Sequence, residues 1–304
     1  MGRLEELEKK LDERLGSLDR RLEGRLGGQP PRGAAVQPGR RGMLAARTEG
    51  VPAAQLFADY ATPGEAETVQ LFEFVRNSAH VQGNALYAGI LGATRFVFAP
   101  EDNTLNAYAT LAGGQDGETV PAVFLLGGAA RFGRVASLAV AATRGGDASA
   151  GERFLALVKR DGLGEIGMDW SVRAVLEAGL TSALADDKTL VLAKSVSAGL
   201  FLGILAHEAG HLALGHLYRL EGGETNNDIS RNQEREADSF ASSIIAASPF
   251  GEYILAGTLF WHYALAQLEE GGRATTHPLS KERFGNFVRA NPDLAEEFGL
   301  AAEA

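Results

Sequence analysis

The chain has 304 residues, 45% hydrophobic and 22% charged, enough for one large core or two modest domains. A net charge of -10 gives a general nucleic-acid-binding role no electrostatic support. With no cysteine, disulfides, thiol catalysis and cysteine-based metal sites are excluded.

At the amino terminus, Leu4, Leu7, Leu11, Leu15, Leu18, Leu22 and Leu26 recur at spacings of three and four. The underlying eleven-residue repeat, LEELEKKLDER then LGSLDRRLEGR, gives about 3.67 residues per turn and a slightly right-handed stripe. Residues 1–27 therefore read as an amphipathic, coiled-coil-like helix for self-association or docking to a partner helix. The charge that runs through this segment makes it no signal peptide. Residues 28–50, with Pro, Gly and Arg and no periodicity, read as a flexible linker. The folded part is expected from 51 to 304.

Thr62-Pro63-Gly64-Glu65 has the form of a capping box, and opens a helix carrying Val69, Leu71, Phe72 and Val75 to about Ala79. Thr94–Phe98 is a short β-rich run, followed by a second extended segment, Leu105–Ala109. Val120–Leu126 is a third, and Pro121 directs it towards a sheet edge or a strand start. Gly133–Ala142 reads as helix. From Thr143 to Asp187 the spacing suggests two helices in an insertion, a lid or part of a cleft wall. A capping box at Ser149-Ala150-Gly151-Glu152 introduces the first of them. The uncharged apolar runs Ser195–Ala206 and Tyr253–Leu268 fall short of the roughly 20 residues of a membrane span. A cytoplasmic protein without a membrane span is expected.

The chemistry concentrates at Phe201–Leu217, FLGILAHEAGHLALGHL. His207-Glu208-Ala209-Gly210-His211 is an HExxH pattern on an apolar helix. Residues four apart lie about 40° apart around a helix, so His207 and His211 can reach one zinc ion. Glu208 beside them can activate a water as general base. Buried polar groups among Phe201, Leu202, Ile204, Leu205 and Leu212 need such a reason.

Such a site takes a third protein ligand. The HExxHxxGxxH pattern is absent, since Leu214 and Leu217 stand where it needs Gly and His. Counted along a continuous helix, His216 falls about 180° from His207 and reads as structural. The better ligand lies on a later helix, from about Ile229 to Ala247, capped by Asp228. Its apolar face is Ala237, Phe240, Ala241, Ile244 and Ile245. Glu234 lies about 50° from the centre of that face and Glu236 about 110° away. Glu234 is therefore the candidate ligand, and Asp238 the group that holds a ligand histidine's other ring N–H. Arg235 and Glu236 read as surface charge.

HEAGHLALGH, then EREAD, then Thr276-His277-Pro278 with Arg283, resembles the gluzincin peptidases related to HtpX and the CAAX prenyl proteases. Asn106-Ala107-Tyr108-Ala109 is similar to a segment that precedes the zinc helix in that family. The resemblance covers about 90–142 and 188–288. It implies His207, His211 and Glu234 as ligands of one Zn2+, Glu208 as base and Asp238 behind the ligands. The amino-terminal helix and the 143–187 segment have no counterpart in it, and the chain looks like a soluble branch.

The expectation is an α+β fold: a mostly helical zincin-type metallopeptidase domain with a small β-sheet. Its reaction would be hydrolysis of internal peptide bonds of a protein or peptide substrate. His277 is a candidate oxyanion donor or a resting-state fourth ligand; Arg283 orients that loop or pairs with a carboxylate. Asn106, Ala107 and Tyr108 are candidates for binding an extended substrate by edge pairing. The rival expectation is an adaptor assembled through residues 1–26, with zinc structural or absent. Glu208, which a structural zinc site does not require, argues against it. A third is a latent peptidase, activated when a partner engages that helix.

Overall fold

The computed structural model describes residues 53–61, 63–113, 118–162, 165–220 and 227–246, with 257, 258, 261 and 289 as single positions. The amino-terminal helix, the linker, His277 and Arg283 lie outside the described residues.

The described part is mostly helical around one small sheet. Helices α1 (Ala53–Ala61), α2 (Glu65–Arg76), α3 (Ala79–Gln82) and α4 (Ala85–Ala93) lead into strands β1 (Arg95–Ala99), β2 (Ala107–Gly113) and β3 (Thr119–Leu126). There follow α5 (Gly127–Arg144), α6 (Ala150–Asp161), α7 (Met168–Glu177) and α8 (Thr181–Ala185). The chain continues through α9 (Asp187–Ala213), α10 (His216–Leu220) and α11 (Asn227–Ala246).

In the sheet the order is β1-β3-β2, with β1 parallel and β2 antiparallel to β3. Pro121 thus lies in the central strand, yet at a place where only one neighbour is present. Pairing with β1 begins at Ala122, opposite Arg95, while Pro121 faces Leu111 of β2. The N–H that proline lacks is the one with no strand to meet. On one face Phe96, Phe98, Ala107, Ala109, Val123 and Leu125 pack with Phe72, Val75, Leu202, Leu205, Ala209 and Leu212. On the other face, Tyr108 stacks on Phe124 at 5.0 Å and 9°.

Capping differs from the sequence pattern at two places. Helix α2 opens after Gly64 with no side-chain cap. Ser149 does not cap α6 either, because its hydroxyl bonds to Asp147 Oδ1 and receives Arg153 instead. Side-chain caps form elsewhere, among them Asp186 at the start of α9, whose carboxylate accepts the Thr189 N–H at 2.8 Å and hydroxyl at 2.6 Å. Those two bonds hold the Asp186 carboxyl below its usual pKa.

Three helices, α6 to α8, stand where the spacing suggested two. They do not stand off as a lid: Phe154, Leu157, Val175, Leu180 and Leu184 share one core with Phe57 and Phe132. Arg131 of α5 joins this part to the sheet, donating to Ile166 O at 2.7 Å and Pro100 O at 2.8 Å. A second buried arginine, Arg134, donates to both oxygens of Glu67 on α2 and to Ser197 on α9. Through its two terminal nitrogens this buried guanidinium ties three helices together.

Helix α9 runs through the middle of this assembly. By length and composition it is apolar enough to cross a membrane, and 61% of its most apolar window is buried inside the protein. Lys194, which ends the uncharged run in the sequence, is an interior residue of this longer helix. Its carboxyl-terminal third carries the polar residues that matter next.

Candidate metal centre

Helix α9 places His207 and His211 one turn apart with their Nε2 atoms 3.1 Å from each other. Helix α11 crosses it and brings in Glu234, whose oxygens lie 3.2 Å from His207 Nε2 and 3.4 Å from His211 Nε2. These three side chains form the candidate ligand group among the described residues. All are sheltered: Glu234 is 3% exposed and His207 7%. Helix α11 can bury that carboxylate because its apolar side, Ala237, Phe240, Ala241, Ile244 and Ile245, faces the core.

The crossing depends on Gly210. A Cβ there would stand 3.2 Å from both Ala237 Cα and Phe240 Cδ1. That is tighter than ordinary contact, so the two helices meet backbone to backbone at this point. Phe240 is held in turn by His80 and Tyr87, at centroid distances of 4.9 and 5.5 Å. Gly210→Val is expected to cost about 1–3 kcal/mol by overpacking. By pushing α11 outward it should also shrink any rise in melting temperature on adding zinc, and Gly210→Ala should do so less. Thermal melts with and without zinc check both.

Each histidine is oriented from behind. His207 Nδ1 lies 2.8 Å from Asp238 Oδ1, one helical turn beyond Glu234 on α11. A carboxylate there accepts a hydrogen bond from Nδ1–H, which leaves Nε2 bare towards Glu234 and His211. His211 Nδ1 lies 3.0 Å from Nδ1 of His216, and His216 Nε2 lies 2.9 Å from Glu236 Oε2.

This placement of His216 departs from the sequence count, which carried one helix past Leu214. The helix ends at Ala213, and Gly215 adopts φ +73°. A left-handed residue turns the chain and restarts the angular count, so His216 returns to His211 rather than to the far side. Glycine just after the last periodic residue was the available signal. The same turn gives Glu236 a partner, where the sequence offered only surface charge.

Glu208 points to the sheet. Its Oε2 accepts the backbone N–H of Ala109 at 2.9 Å. Ala109 lies on β2, the edge strand next to α9, and its N–H faces off the sheet. Ala107 and Tyr108 share that strand and Asn106 immediately precedes it; Tyr108 is 37% exposed and turned towards Phe124. The structure thus gathers His207, Glu208, His211, Glu234 and Asp238, with β2 alongside.

The donor set fits a zinc ion by chemistry and by spacing. Two imidazole nitrogens and a carboxylate oxygen are its usual ligands. Metal–nitrogen bonds of about 2.0–2.1 Å in a tetrahedron put neighbouring ligand atoms roughly 3.3 Å apart. The 3.1 Å between the histidine nitrogens and the 3.2 Å from His207 to Glu234 Oε2 lie close to that value, and His211 lies 3.4 Å from the other carboxylate oxygen.

No curated protein and no solved structure matches the chain. Residues 172–298 match the family model described as Peptidase U49, a span that holds His207, Glu208, His211 and Glu234 and supports a peptidase.

Proposed function

We propose that this protein is a zinc-dependent endopeptidase related to the HtpX-type gluzincins, with His207, His211 and Glu234 holding one zinc ion. The observation that carries the reading is the convergence of His207, His211 and Glu234, one ligand atom from each lying within 4.8 Å of the others, beside Glu208. A bound zinc would supply Lewis acidity, lowering the pKa of water so that it gives up a proton readily, and polarising the scissile carbonyl.

The chain's own groups perform the rest. Glu208 takes the proton of the attacking water and delivers it to the leaving amine, since cleavage of an amide requires a protonated leaving group. The Ala109 N–H aims the Glu208 carboxylate for that transfer. Asp238 keeps the His207 ring from turning. At the sheet edge, β2 turns the backbone groups of Ala107 outward for an extended substrate, whereas Asn106 O accepts the Leu126 N–H and Tyr108 pairs with Phe124 inside the sheet. Such pairing binds main chain and leaves side-chain choice loose, which suits a protein substrate.

Removing the metal tests this reading. Purified wild-type protein should carry about one zinc per chain and cut an unfolded test protein at internal bonds. A chelator should stop cleavage, and stoichiometric zinc should restore it. Cleavage that survives complete metal removal, or a protein that binds no zinc, sinks the proposal.

A further inference from the structure

The hydrogen-bonded row behind His211 is unlike the single carboxylate behind His207. It has two members, a histidine that is only 1% exposed and a glutamate that reaches the surface. We propose that His216 and Glu236 are positioning residues that hold His211 in the one form able to bind metal through Nε2. This inference rests on the zinc reading above.

The chemistry of the row assigns each hydrogen. A carboxylate only accepts, so across the 2.9 Å contact with Glu236 the hydrogen sits on His216 Nε2. A neutral imidazole with its hydrogen on Nε2 has a bare Nδ1, which can only accept. Between the two Nδ1 atoms, 3.0 Å apart, the hydrogen then belongs to His211. His211 Nε2 is left bare, and it is the nitrogen that lies 3.1 Å from His207 Nε2 and 3.4 Å from Glu234. Glu236 thus determines, two rings away, which His211 nitrogen offers its lone pair. Its charge reaches the site only through a neutral ring, whereas Asp238 touches His207 directly.

The placement has a backbone cause. Gly215 returns His216 beneath His211, and Glu234, Glu236 and Asp238 come from little more than one turn of one helix. Helix α11 therefore provides a candidate ligand and the outer partners of both histidines.

Glu236 is the residue to change, because its side chain is 53% exposed and its loss leaves the core intact. Zinc affinity is measured by competition with a chromophoric chelator on the full-length chain. Glu236→Ala should bind zinc about 10-fold more weakly than wild type. Glu236→Gln, whose amide oxygen can still accept from His216, should stay within about 3-fold. Ring-nitrogen NMR of the zinc-loaded wild type should find hydrogen on His216 Nε2 and on His211 Nδ1. A hydrogen on His216 Nδ1, or a Glu236→Ala variant that binds zinc as tightly as wild type, overturns the proposal. If the wild type itself binds no zinc, the peptidase reading falls with it. Tight wild-type binding beside an unaffected Glu236→Ala removes only the positioning role.

Discussion

Replacing Glu208 with Gln should lower kcat/KM for peptide hydrolysis about 10³-fold, a loss of about 4 kcal/mol in transition-state stabilisation. The amide cannot take a proton from water at neutral pH, so the general-base step is removed. Much else stays in place. The Gln side-chain oxygen can still accept the Ala109 N–H that Glu208 Oε2 accepts at 2.9 Å. Glu208 is not among the three groups that form the candidate ligand set, so zinc content and melting temperature should match the wild type. Kinetics, metal analysis and a thermal melt on the same preparation separate the outcomes. A variant that cleaves as well as wild type rules out Glu208 as the base. One that loses zinc as well as activity moves Glu208 into the metal-holding set.

The second large effect is expected at Glu234. Removing one of three protein ligands should cost about 3–4 kcal/mol of zinc binding, or roughly 10²–10³-fold in affinity. Glu234→Gln is the informative change, because it conserves shape at a position only 3% exposed. Calorimetric titration gives the affinity, and melts with and without zinc give the linked stability. The zinc-dependent rise in melting temperature should largely disappear. The contrary result has a definite meaning. Suppose zinc changes neither protein, and the variant melts well below wild type. The contacts of 3.2 and 3.4 Å would then be a histidine–carboxylate bridge that serves stability alone.

The two helices that meet at Gly210 were legible for different reasons. His207 and His211 could be placed together because helical spacing is a local property of five residues. Glu234 could be ranked above Glu236 in burial because the apolar side of α11 is continuous from Ala237 to Ile245. The structure shows 3% exposure for Glu234 against a half-exposed Glu236. Local reasoning failed where the chain leaves its helix. One left-handed glycine, Gly215, shifted His216 from the far side of α9 to the back of His211.

Other features follow from partners remote in sequence. Ser149 lost its expected role because Arg153 and Asp147 compete for its hydroxyl. Pro121 suggested a sheet edge or a strand start, and it lies near the start of a central strand; the resolution lies in where β1 begins, which no property of residues 119–126 announces. The spacing of residues 143–187 marked helices with no counterpart in the resembled family, but could not show that Phe154 and Leu180 share a core with Phe57.

Ala109 has a consequence for genetics. Its contribution to the site is a main-chain N–H, which every amino acid except proline also carries. An alanine scan would pass over the position by construction, and most substitutions there would keep the donor while altering only the packing beneath the sheet. The aim of Glu208 is thus encoded in the path of a strand rather than in a side chain, and could persist while the residue itself drifts. Proline alone among coded replacements would erase it.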